Sequence, residues 1–197
     1  MSGTAPTPRR RAIRGRLLDF LPEGGYRLRA DHLLFVEEGR ITQIGPAAPL
    51  LPTVPPGTPV DAHGDRLLLP GLIDAHLHFP QSQVIASPAR DVLDWLERHT
   101  FLAERAFADP AHAARMARFF LAELLRQGTT TAVVYGSVHA AAIDALMAEA
   151  RARELRLLAG KVMMDRGPRG SATRSKRVCG RAPRSLPAGT VSTAWAT

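Results

Sequence analysis

At 197 residues the chain has room for one domain or two small ones, and its 45% hydrophobic content is ordinary for a protein with a packed core. One cysteine, Cys179, excludes an internal disulfide and any cysteine-rich zinc site, and no apolar run approaches the length of a membrane span. The net charge of +8 would suit a nucleic-acid partner, but six basic residues and no acidic one lie in 167–197, leaving twenty basic against eighteen acidic side chains, or +2, in 1–166. A cytoplasmic protein with neither a nucleic-acid nor a membrane partner is expected.

Residues 1–11 are small, proline-bearing and basic, and read as a disordered start. Short strands are predicted over 12–18, 32–36, 40–44 and 66–69, with 37–39 as a hairpin turn between the second and third. Pro46, Pro52, Pro55, Pro56 and Pro59 mark loops among them. The run Leu-Pro-Gly-Leu-Ile-Asp-Ala-His-Leu-His-Phe-Pro-Gln over 69–81 reads as a buried strand. An amphipathic helix is expected over 92–107, with Val92, Leu93, Trp95 and Leu96 on its apolar side. Asp109 and Pro110 then supply an N-cap and a first-turn proline for a helix reaching Gln127, with Ala113, Met116, Ala117, Phe120, Leu121 and Leu124 as its stripe and Gly128 as its stop. Residues 129–135 read as a strand, 139–154 as a helix and 156–164 as a third strand. Strands alternating with helices in this way imply a parallel sheet with right-handed crossovers.

In a strand, alternate side chains share a face, so Leu72, Asp74, His76 and His78 would line one side. Two imidazoles about 6 to 7 Å apart at their backbones can converge on one zinc-type cation, which takes neutral histidine nitrogen at about 2.0–2.1 Å. Pro70-Gly71-Leu72-Ile73-Asp74-Ala75-His76-Leu77-His78-Phe79-Pro80-Gln81 resembles the first barrel strand of the amidohydrolase superfamily, and its Phe-Pro-Gln ending resembles that of guanine deaminases. Blocks at 91–105, 126–139 and 159–166 are similar to the same family in the same order, so the resemblance covers roughly 12–166.

The resemblance implies an α/β fold: the first three strands of a TIM-type (β/α) barrel over 69–166, with 12–68 forming part of a composite β-sandwich. It implies one zinc ion held first by His76 and His78, hydrolytic deamination of guanine to xanthine and ammonia, and a homodimer. It places Gln81 at the base, where an amide offers both a donor and an acceptor, with His78, Phe79 and Trp95 also facing substrate. The family's remaining ligands and its proton-shuttling glutamate lie on later strands, so no catalytic residue is expected within this sequence. Lys161 is expected to be structural, because its Ala-Gly-Lys-Val-Met-Met-Asp context resembles a one-metal site. Of the other histidines, only His139 follows a strand end.

Residues 167–197 lack periodicity and acidic residues, a mixture that a GC-rich gene yields in the wrong frame. Codons can be chosen for the last thirteen residues so that a shifted frame reads like the segment leading to the family's next strand. A frameshifted, truncated and inactive chain is therefore the expectation. Two rival readings stand beside it: a related aminohydrolase acting on another heterocycle, and a non-catalytic fragment with a basic interaction tail.

Overall fold

The computed structural model describes residues 9–164, so the expectations for the first eight residues and for 167–197 lie outside the described residues. Contacts divide the chain between Pro70 and Gly71 into two compact units.

The first unit is built on one four-stranded sheet, β1 (Arg10–Phe20), β2 (Tyr26–Glu37), β3 (Arg40–Pro46) and β4 (Val60–Leu68), in the order β3-β2-β1-β4. β2 pairs antiparallel with both β1 and β3, whereas β4 runs parallel to β1. Glu38 and Gly39 turn between β2 and β3 with φ of 49° and 73°, the doubly left-handed geometry that matches strand twist in a two-residue hairpin. A small apolar cluster of Ala12, Leu33 and Ala47 is covered by Phe35, Leu50, Leu51 and Val54. The last residues come from a short helix, α1 (Ala47–Leu50), and the 3-10 turn after it.

Two expectations need correction here. The strand begins at Arg10 rather than after a disordered 1–11, because Arg10 pairs with Glu37 at 2.7 Å and Arg11 with Asp61. β4 begins at Val60 rather than at 66, because Val60, Asp61 and Ala62 join the ladder of β1 before an irregular stretch ahead of Leu67. That pairing is tertiary, and the local signals of Pro59 and Gly64 point against it.

The second unit holds a parallel sheet of β5 (Leu72–His78), β6 (Thr129–Tyr135) and β7 (Arg156–Gly160) in that order. Helices α2 (Val92–Trp95) and α3 (Phe101–Ala106) flank a π turn over Leu96–Thr100, and are followed by α4 (Pro110–Arg126) and, after β6, α5 (Ala140–Ala152). Asp109 caps α4 by accepting the Ala111 and His112 N–H groups at 2.9 and 3.2 Å, worth about 1 kcal/mol. Burial of Phe120 or Leu121 contributes roughly 1.5–3 kcal/mol each, so packing rather than the cap holds α4 in place. The stripe read from the sequence lies in the core, with Leu124 at its half-buried margin.

The helix over 92–107 departs from expectation. Val92 and Leu93 are each 71% exposed, while Asp94, Thr100 and Glu104 are buried. Asp91 caps the first turn by accepting the Asp94 N–H, and Arg90 and Arg98 bridge the Asp94 carboxylate. The π turn then adds a residue and shifts the phase of a 3.6-residue pattern. β7 also stops at Gly160 rather than at 164, although the Val162 N–H still reaches the Ser137 carbonyl at 3.2 Å.

Candidate metal centre

β5 does not keep strict alternation against β6. Asp74 pairs with Ala132 and Leu77 with Val134, so β5 carries one extra residue between them. The Asp74 carboxylate accepts the His76 N–H at 3.0 Å, a local bond that replaces part of the ladder and stabilises the bulge. The exposed ring of His76 lies beside that of half-buried His78, as expected for residues two apart on one face of a strand.

The two Nε2 atoms lie 3.3 Å apart and the ring centroids 5.1 Å apart. A tetrahedral cation with bonds of about 2.0–2.1 Å holds two such nitrogens about 3.3–3.4 Å apart. The spacing equally admits a hydrogen bond if one ring carries its proton on Nε2. Burial, and then the neighbouring His76, push the His78 pKa down, which favours the neutral ring that metals bind. The donor set thus fits two positions of a four-coordinate site. Among the described residues no group of three or more histidine, cysteine, aspartate or glutamate side chains could complete it.

Tyr135, the last residue of β6, stacks on His78 with centroids 4.7 Å apart and planes 9° apart, and its ring lies 5.2 Å from that of His76. Pattern reading did not single it out. The available signal was positional: an aromatic at the end of the neighbouring parallel strand, level with His78.

The expected substrate residues fare differently. Phe79 is fully buried, edge-on to Phe107 at 4.9 Å and tilted against Phe120 at 5.5 Å, so its ring packs in the core. Gln81 is half-buried in the 3-10 turn over Phe79–Gln83, where Ser82, not Gln81, makes the side-chain bond that closes the turn. Trp95 is half-buried at the end of α2. His139 precedes α5, with its Nε2 buried and unpartnered among the described residues. The Lys161 amine is half-buried after β7; burial pushes its pKa down and the Glu104 carboxylate opposes that shift. Glu104 is a second residue that pattern reading passed over. The residue is 6% exposed, and its carboxylate accepts the Ser137 hydroxyl at 2.6 Å and the Val138 N–H at 2.8 Å. No local signal marked it, because its partners lie more than thirty residues away in the sequence.

Comparison with known proteins bears on this arrangement. The chain is 37% identical over 164 residues to the guanine deaminase of Escherichia coli (strain K12), a match covering 79% of this chain and 37% of that protein. It is 42% identical over 133 residues to the probable guanine deaminase of Deinococcus radiodurans, covering 66% and 30% respectively. The crystal structure of guanine deaminase from Bradyrhizobium japonicum superposes with a TM-score of 0.77 at 30% identity, over 84% of this chain and 38% of that one. The chain therefore spans about a third of the length of these relatives. The amidohydrolase family model matches residues 67–188, more than half of the sequence and including both histidines of β5, and the chain belongs to that family.

Proposed function

We propose that this chain carries part of a guanine deaminase site, with His76 and His78 as two ligands of a zinc ion and Gln81 as a contact to the base. The observation that carries the reading is the 3.3 Å convergence of the two Nε2 atoms at the end of a parallel strand. When bound, a zinc ion supplies a hydroxide at neutral pH by lowering the pKa of its water to about 7. The chain's own residues bind and orient: the two imidazoles present neutral nitrogens, Tyr135 holds the His78 ring in plane, and the Gln81 amide offers a donor and an acceptor to the polar edge of guanine. Addition of water at the guanine carbon that bears the exocyclic amine, with loss of that amine, gives xanthine and ammonia. On this reading β5–β7 are the first strands of a TIM-type barrel, β1–β4 part of a composite β-sandwich, and the working protein a cytoplasmic homodimer. Support comes from the parallel order β5-β6-β7 with helices at each crossover, and from the guanine deaminases among the relatives.

The test is zinc titration followed by isothermal calorimetry, with the binding of guanine, adenosine and a chlorotriazine to the loaded protein then measured in the same way. Zinc binding that drops by at least about tenfold in His78→Ala is expected, because a chelating pair becomes a single ligand. Equal affinity in the two proteins removes the site. Tighter binding of adenosine than of guanine would replace the substrate reading with that of a related aminohydrolase, a choice kept open by an adenosine deaminase structure of TM-score 0.63.

A further inference from the structure

We infer that Glu104 is a positioning residue for the histidine pair: its buried carboxylate pins the end of β6, and with it the Tyr135 ring that stacks on His78. The inference rests on the reading of His76 and His78 as metal ligands.

Beyond Tyr135 the chain is held on two sides. Toward β7, the Gly136 N–H donates to the Gly160 carbonyl at 3.2 Å and the Ser137 carbonyl accepts from Val162. Gly136 packs so closely that a Cβ there would stand 2.6 Å from the Gly160 oxygen. On the other side, one oxygen of Glu104 takes the Ser137 hydroxyl and the Val138 N–H, and the Ser137 oxygen in turn accepts the His139 N–H at 3.0 Å. Three successive residues leading into α5 are thereby tied to one carboxylate on α3. A negative charge before the first turn of α5 is also favoured by the helix dipole. Both bonds to the Glu104 oxygen are short, at 2.6 and 2.8 Å. Tyr135 stands two residues before Ser137, so a loosened Ser137 and Val138 release the backbone that aims its ring.

The experiment is an NMR measurement on the full chain, reading the ring-current shift that Tyr135 imposes on the His78 imidazole protons, alongside a zinc titration. Tyr135→Leu calibrates the shift. Glu104→Ala is expected to lose most of the shift and to weaken zinc binding by less than His78→Ala does, with Glu104→Gln intermediate because it keeps an acceptor in place of the carboxylate. Ser137→Ala gives the same direction with smaller size and carries the test if Glu104→Ala does not fold. Variants that melt at lower temperature while keeping the wild-type His78 shift and zinc affinity would overturn the inference. Wild-type protein that shows the stacking shift, yet no imidazole change on zinc addition, would sink the metal reading while the variants still decide whether Glu104 sets the ring.

Discussion

The two sheets hold themselves together by different means. β1–β4 carries a thin apolar cluster and a surface of arginine–carboxylate pairs: Arg10 with Glu37, Arg11 with Asp61, Arg14 with Asp31, and Arg27 and Arg29 on Asp19. β5–β7 rests on a much larger core, in which Phe79, Phe107, Leu121 and Leu146 are fully enclosed. Exposed pairs contribute little because water and salt screen them, whereas enclosed side chains contribute through area removed from water. The proposed site belongs to the sheet with the larger core.

That contrast can be broken or sharpened by variants read through hydrogen exchange in each sheet separately. Phe79→Ala should cost about 3–5 kcal/mol in β5–β7, because it removes the ring on which Phe107 and Phe120 pack, and should leave protection in β1–β4 unchanged. Loss of protection in both sheets would mean that they unfold as one. Asp109→Ala should cost about 1 kcal/mol, seen as fraying at the start of α4.

A smaller effect again is expected from acid on β1–β4. Its arginine partners hold the Asp19 carboxyl well below its ordinary range and lower that of Asp31, so these groups stabilise the fold above the unfolded value of about 3.9. Their contribution is lost as pH falls below that value and through the folded one; protection factors in β1 and β2, corrected for intrinsic exchange, that stay flat across this window would refute it. The smallest effect is that of Asp19→Asn, a slight drop in unfolding midpoint that about 0.5 M salt should erase.

Legibility followed locality. The limits of α4 could be read from Asp109, Pro110 and Gly128 because capping chemistry resides in neighbouring residues. β6 emerged from a β-branched run, and the structure ends it at Tyr135 as read. The N-terminal half of β4 could not be read, since only pairing with β1 makes it a strand. The buried side of the helix over 92–107 was misread because a π turn breaks the period on which such reading depends. At the candidate site, the two histidines stood out as a spaced pair, whereas Tyr135 and Glu104 act on them through register and long-range hydrogen bonds that no local pattern records.

The topology of the second sheet also sets an order of events. β6 and β7 meet across a short loop of chain spanned by α5, from Thr131 to Arg156, but β5 reaches β6 only after the far longer path from Leu72 to Thr129. Closing the longer loop carries the greater entropic cost and delays the contact it makes. The nucleus is therefore expected in α4, β6, α5 and β7, with β5 docking last. The histidine pair would then be assembled in the final step of folding, and pulsed hydrogen exchange should find the β6–β7 amides protected before those between β5 and β6.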